Sequence, residues 1–335
     1  MSAASTLVVT QQGAKLHLDG QRLQIRDRTG SVLKEVPLLH LEEILLFGSV
    51  ELSSSVMQHA LASDLPVILL TREGRFKGKL NPLNLKDARL RQLQYQGAGD
   101  PAFRLRLAQA FVGAKLENSR VLLRRRVAGG AAGADKALHG IRLMIDRLPR
   151  CQEIAEVMGT EGMAARYYFE GLRHCLRQDL GFEKRVRRPP TDPVNALLSF
   201  GYTILTGWVL SDILRAGLDP HIGNLHELSP GRPSLALDLM EECRPLVVDI
   251  TLIGLVNRLE LTPRDFFHTE ESGIRMTERA LGRYMEALKC RGQVTILHPD
   301  SGLRIAIRQA IRRQVFHYRD VLRGERTEYL PLRLR

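Results

Sequence analysis

The apolar residues of this chain change their spacing once, near residue 81, and a single type of secondary structure cannot serve both sides of that change. Before it, Thr6 to Thr10, Lys15 to Leu18, Arg22 to Arg26 and Val32 to Val36 are short runs, several alternating apolar with polar. Gln12-Gly13, Asp19-Gly20 and Thr29-Gly30 separate them as turns. Leu23 and Ile25 are expected to face inward, with Arg22, Gln24 and Arg26 outward. Glu43 to Phe47, Val50 to Leu52 and Val67 to Leu70 add strands, and Ser53 to Ala62 reads as one helix capped by Ser53 or Ser54. Past Asn81-Pro82 the alternation ends and helix formers dominate, with Leu105, Ala108, Phe111 and Val112 at amphipathic spacing. The chain therefore reads as α+β. Residues 1–80 form a small β-rich, β-sandwich-like domain suited to dimerisation, 81–87 a linker, and 88–335 a larger all-α domain that carries the chemistry.

Charge narrows the class of partner. Among 335 residues, 49 are Lys or Arg and 37 Asp or Glu, a net charge of +12 that favours a polyanion. Aromatics make up only 5% of residues, so base-stacking platforms for single strands are few and duplex phosphates fit better. Two segments concentrate the charge. Phe103 to Arg126 carries Lys115, Arg120, Arg124 and Arg125 among seven cations against Glu117 alone. In the tail, Arg304, Arg308 and Arg312 recur every four residues, as a phosphate rail along one helical face would require. The cysteines Cys151, Cys175, Cys243 and Cys290 form no C-x-x-C pair, and the N-terminus shows no secretion signal, so a reducing cytoplasm is expected. The apolar run between Asp192 and Asp212 contains Asn195, Ser199, Tyr202 and Thr206, and reads as a buried helix rather than a membrane span.

The chemistry is placed in Gly217 to Pro245. His226 precedes a turn made by Pro230, Gly231 and Pro233. That turn feeds a short helix with Ser234 as its cap and Asp238 and Glu241 on one face. Imidazole with carboxylate suits manganese or magnesium, although an acidic helix is usually just solvated and a lone histidine is usually a surface or satisfied core residue. Glu161, among the small residues Gly162, Ala164 and Ala165, is expected at a close helix contact, where a buried carboxylate needs a partner or an ion. Walker A, dinucleotide and nucleophile-elbow motifs are lacking.

Together these segments resemble the universal CRISPR-associated adaptation endonuclease, the integrase subunit that inserts new spacers into CRISPR arrays. The resemblance is carried, in order, by Lys115-Leu-Glu-Asn-Ser-Arg120, Gly159-Thr-Glu-Gly-Met-Ala-Ala-Arg166, Asn195-Ala-Leu-Leu-Ser-Phe-Gly-Tyr202, Gly217-Leu-Asp-Pro-His-Ile-Gly-Asn-Leu-His226 and Pro230-Gly-Arg-Pro-Ser-Leu-Ala-Leu-Asp-Leu-Met-Glu241. It implies that Glu161, His226 and Glu241 hold a catalytic Mn2+ or Mg2+. Many relatives have Asp at the last position, so Asp238 either shares the role or supports the ligands from behind; His221 is incidental. It implies cleavage of a phosphodiester by water, and integration by the 3'-hydroxyl of an incoming double-stranded DNA end. It also implies a homodimer joined through the β domain and clamped onto a small ferredoxin-like adaptation partner. The competing readings are a structure-directed DNA repair nuclease that does not integrate, and a non-catalytic basic DNA-binding scaffold.

Overall fold

The computed structural model describes residues 5–72, 74, 76–80, 87–130, 133–270 and 273–334. The first eight strands are β1 (Ser5–Val9), β2 (Lys15–Asp19), β3 (Arg22–Arg26), β4 (Val32–Pro37), β5 (Leu41–Phe47), β6 (Glu51–Leu52), β7 (Val67–Leu70) and β8 (Phe76–Leu80), with helix α1 (Ser54–Ala62) before β7. They form two four-stranded sheets, ordered β1-β5-β7-β8 and β4-β3-β2-β6. Leu7, Val9, Ile44, Leu46 and Val67 from the first sheet pack against Leu16, Leu23 and Ile25 from the second, with Val56 and Ala60 of α1.

Side chains alternate across a strand, so Leu45, Phe47, Ile68 and Leu70 point out of the opposite face of the first sheet, into the helical core. A sheet covered on both faces needs continuous apolar strands, which explains Ile44-Leu-Leu-Phe47. Two expectations change here. Gln24 is buried at 6% exposure, because Asp19 and Glu35 accept from its amide nitrogen and Arg26 donates to its amide oxygen. Strand β8, Phe-Lys-Gly-Lys-Leu, escapes a hydrophobic pattern because it is an antiparallel edge strand in which lysines are tolerated.

The helices are α2 (Ala88–Gly99), α3 (Pro101–Ala128), α4 (Asp135–Arg147), α5 (Ile154–His174), α6 (Pro193–Arg215), α7 (Ser234–Met240), α8 (Ile250–Asn257), α9 (Glu278–Gln293) and α10 (Ile307–Leu322). Of the expected linker, residues 81–86 lie outside the described residues. Two helix starts follow an Asp-Pro signature. The Asp100 carboxylate accepts from the Ala102 and Phe103 amides, and that of Asp192 from Asn195, while each proline occupies a position whose N–H is not needed.

The C-terminal part is mostly helical rather than all-α. It also holds two hairpins, β9 (Phe266–Thr269) with β10 (Gly273–Met276) and β11 (Thr295–Leu297) with β12 (Arg304–Ala306). Among the described residues α6 alone is long and apolar enough to cross a membrane, yet 78% of its apolar window is buried as the central helix of the core.

The two parts share a continuous interface. Phe47 stacks on Phe200 with ring centroids 5.6 Å apart, and a Cβ on Gly207 would fall 2.9 Å from Leu45 Cδ1, so that glycine lets β5 approach α6. At its rim Arg308 pairs with Asp212 and lies 3.8 Å from Glu43, while Arg312 reaches Asp212 at 3.0 Å and Glu42 at 2.6 Å. Asp212 and Glu43 are fully buried. Removing one member of a buried ionic group strands the others, so Arg308→Ala is expected to lower unfolding free energy by about 3–5 kcal/mol, read from urea melts.

Candidate active site

Three remote segments converge where α3, α5 and the end of α7 meet. From α7 the chain continues as a tight turn at Glu241–Cys243 and a widened turn at Pro245–Asp249 before α8. Pro245 has no N–H to give the carbonyl four residues back, so the regular helical ladder cannot run through this point. The irregular stretch keeps Glu241, Glu242 and Asp249 buried.

Lys115, midway along α3, places its ammonium between two of these elements. Its Nζ donates to Glu161 Oε1 on α5 and lies 2.6 Å from Glu241 Oε2. Arg244 Nη2 sits 3.0 Å from the other Glu241 oxygen, and its guanidinium lies 4.6 Å from the Tyr202 ring centroid. Burial pushes the Glu241 carboxyl up, but the charges of Arg244 and Lys115, joined by that of His226 when its ring is protonated, outweigh it and hold it down at about 2. His226 is thus close enough to act on Glu241 electrostatically.

The loop before α7 is built around Asp238. Its carboxylate accepts from the backbone N–H groups of Asn224 (2.6 Å), Leu225 (2.9 Å) and His226 (3.0 Å), and faces His226 Nδ1 at 2.7 Å. A carboxylate can only accept, so Nδ1 carries the proton and Nε2 is the nitrogen left with a lone pair. Gly223 makes the loop possible, since a Cβ there would fall 2.6 Å from Asp238 Oδ2 and 2.9 Å from the Ser234 backbone. The cap expected at Ser234 is corrected. Pro233 precedes the helix, and Ser234 Oγ instead donates to the Glu227 carbonyl.

Glu161 meets Lys115 of α3 across the α3–α5 junction, but Gly162 takes no part in that contact. Gly162 is exposed, with nothing within 4 Å of the position a Cβ would take, and Glu161 lines a cavity of about 1290 Å³. Lys115, Tyr168, Arg185, Tyr202 and Arg244 share its wall. Beside them Asp249 accepts from Tyr168 and from Tyr202 at 2.8 Å.

Burial raises Asp249 from 3.8 to about 6, against the pull of both tyrosines. The folded state therefore holds this proton more tightly than the unfolded chain, and stability falls as pH rises from about 4 through 6. In Asp249→Asn this fall is expected to shrink by about 3 kcal/mol, measured as urea midpoints across that range.

The basic residues divide. Lys115 belongs to the carboxylate site rather than to a DNA-facing surface. Arg120 pairs with Glu117 at 3.0 Å, and Arg124 and Arg125 are exposed at the end of α3. There Arg125 and Arg126 stand near enough to Arg291 to add to the lowering that burial imposes on it.

The rail expected of Arg304, Arg308 and Arg312 does not exist as a rail. Arg304 is exposed on β12, ahead of the helix, whereas Arg308 and Arg312 turn inward onto Asp212, Glu43 and Glu42. Helical period could not foresee this, because the acidic partners are 96 to 270 residues away. Arg244, by contrast, could have been read from its position three residues after Glu241. As placed, no three His, Cys, Asp or Glu side chains among the described residues form a cluster able to hold an ion, the ammonium of Lys115 standing between the two carboxylates.

A strand-rich sandwich fused to a helical domain, with a carboxylate–lysine–histidine group beside an arginine-lined cavity, defines a class of basic two-part α+β proteins. The chain belongs to the Cas1 family: the family model described as CRISPR associated protein Cas1 matches residues 7–289. It is 35% identical over 328 residues to CRISPR-associated endonuclease Cas1 3 of Thermus thermophilus, covering 98% of this chain and 96% of that protein. The structure of a Cas1 protein from Thermotoga maritima superposes with a TM-score of 0.80 at 25% identity, covering 95% of this chain and 97% of the other. A casposase bound to integration product shares the fold with a TM-score of 0.84 at 23% identity, over 98% and 94% of the two chains.

Proposed function

We propose that this protein is the DNA endonuclease and integrase of CRISPR adaptation, acting on phosphodiesters with a divalent ion held by Glu161, His226 and Glu241. The observation that carries the reading is the meeting of Glu161 and Glu241 on one ammonium, 80 residues apart in sequence, beside a histidine whose Nδ1 is already committed. The donor set suits Mn2+ or Mg2+ once the Lys115 ammonium leaves its place between the carboxylates: two carboxylates and an imidazole nitrogen oriented by a third carboxylate behind it. When bound, such an ion would withdraw charge from the scissile phosphate and stabilise the leaving oxyanion.

The chain's own residues supply the rest. Asp238 fixes the ring and tautomer of His226. Lys115 and Arg244 keep Glu241 ionised, and the arginines of the cavity wall offer charge to phosphates. Water as nucleophile gives cleavage; the 3'-hydroxyl of a DNA end in the same place gives strand transfer. The endonuclease named in the Thermus relative supports the nuclease half of the reading.

The exposed cluster at the end of α3, with Arg124 and Arg125, is the surface we assign to duplex DNA, together with Arg304. Leu39, 90% exposed, with Val32 and Leu33 on the β4 edge, supports a homodimer through the first domain. The small ferredoxin-like adaptation partner completes the assembly in this reading.

The deciding experiment joins a labelled 3'-hydroxyl DNA duplex into a plasmid bearing a repeat array, with the partner present and Mn2+ or Mg2+ added. Covalent joining that requires the ion supports the proposal. Cleavage without joining leaves a repair nuclease, and neither reaction leaves a DNA-binding scaffold.

A further inference from the structure

The segment after α10 has no regular secondary structure and is exposed at most of its residues, yet at two positions it plugs into the core. Tyr329 is 6% exposed and Leu332 fully buried. Unpaired backbone in such a place must find partners, and those it finds lie next to the site. Asn118, one helical turn after Lys115, is fully buried, and its amide is used completely: Nδ2 donates to the carbonyls of Glu242 and Leu332, both at 2.8 Å, and Oδ1 accepts from the Leu334 N–H at 2.7 Å.

Glu242 is fully buried, and no cation pairs with it among the described contacts. Its Oε1 accepts from the Tyr329 hydroxyl at 2.8 Å and from Gln314 at 3.1 Å, and its Oε2 from the Leu332 N–H at 2.8 Å. His317 Nε2, 3.1 Å from the Glu328 carbonyl and 3.3 Å from the Leu330 nitrogen, and Gln314, which donates to the Leu330 carbonyl, complete the seat.

We infer that residues 328–334 act as a positioning element of the active site, with Asn118, Glu242 and Tyr329 as the positioning residues that fix the turn carrying Glu241. The inference rests on the function proposed above. Both the carbonyl and the side chain of Glu242 are tied down, the carbonyl by Asn118 of α3 and the side chain by the tail and α10. That leaves the preceding residue, Glu241, little freedom at a point where Pro245 has already broken the helical ladder. The same Asn118 holds the tail one turn from Lys115, so a single amide sets the spacing between the lysine and the glutamate that share a charge. Asparagine is a poor helix residue and its amide is costly to bury. Its place in the Lys115-Leu-Glu-Asn-Ser-Arg120 motif is explained by this junction and not by contact with DNA.

Tyr329→Phe tests the inference with little risk to folding, since it removes one hydroxyl and keeps the ring that packs 5.0 Å from Phe111. Three quantities are measured on the full-length protein against wild type: Mn2+ affinity by calorimetry without DNA, kcat and KM for cleavage of a DNA duplex, and amide hydrogen exchange at Glu241–Cys243 in the metal-free protein. The expected result is Mn2+ affinity lower by about 10-fold, kcat lower by roughly 10-fold with KM unchanged, and faster exchange at those three amides. Asn118→Ala is expected to move all three further.

A folded Tyr329→Phe or Asn118→Ala whose exchange at Glu241–Cys243 matches wild type overturns the inference, and so does unchanged Mn2+ affinity with unchanged kcat. A wild-type protein that binds no Mn2+ overturns the functional proposal instead. The metal-free exchange measurement still decides the role of the tail in that case.

Discussion

Glu161→Ala, His226→Ala and Glu241→Ala are each expected to reduce ion-dependent cleavage and strand transfer by about 10³-fold or more, with affinity for duplex DNA within a few-fold of wild type. A loss of that size is about 4 kcal/mol of transition-state stabilisation, more than a change in surface charge produces. The three variants should differ in stability, because the side chains do different work in the fold. Glu161 is partly exposed, and Lys115 keeps Glu241 when it is removed. Glu241 is the counter-charge of both Lys115 and the buried Arg244, so its loss leaves two cations short of a partner and should also lower the melting temperature. Gel assays in Mn2+ and Mg2+, paired with thermal melts, read both effects. Full activity in a folded, ion-bound Glu161→Ala would remove this residue from the site.

Asp238→Asn is the second large effect, and it separates orientation from ligation. The carboxylate accepts four hydrogen bonds, three from the backbone of residues 224–226 and one from His226 Nδ1. An amide of equal size has one acceptor atom and presents N–H donors where the other oxygen stood, so some of these donors lose their partner and the imidazole is free to take the wrong tautomer. Mn2+ affinity and kcat should each fall by about 10- to 100-fold, with a stability loss of about 1–3 kcal/mol from the orphaned donors. Calorimetric titration of Mn2+ and steady-state cleavage on the same preparation check it. If Asp238→Asn instead binds Mn2+ normally, the imidazole is not a ligand that Asp238 orients.

Most strands of the first domain were legible because their apolar residues alternate and glycine turns divide them. Strand β8 was not, since its lysines suit an edge that only the paired sheet reveals. In the second domain the spacing of Leu105, Ala108, Phe111 and Val112 located α3 and the apolar run between Asp192 and Asp212 located α6, whereas the two hairpins are too short for periodicity to register. At the site, motif resemblance nominated Glu161, His226 and Glu241, and spacing alone could not have joined residues on three separate elements. Lys115 was read as part of a basic surface because its acidic partners lie 46 and 126 residues further on. Spacing could not join Asn118 and Glu242 to their partners, since those groups lie 72 to 216 residues away.

The inward turn of Arg308 and Arg312, with Lys115 spent on its two glutamates, takes three of the 49 Lys and Arg side chains out of the set that can meet phosphates. Each phosphate neutralised on duplex DNA contributes about −0.9 to the slope of log affinity against log salt. Cations already neutralised inside the protein release no counterions when DNA binds. A salt titration should therefore report no phosphate contact from these three side chains, whose charge is spent at the seam between the two domains and inside the carboxylate site.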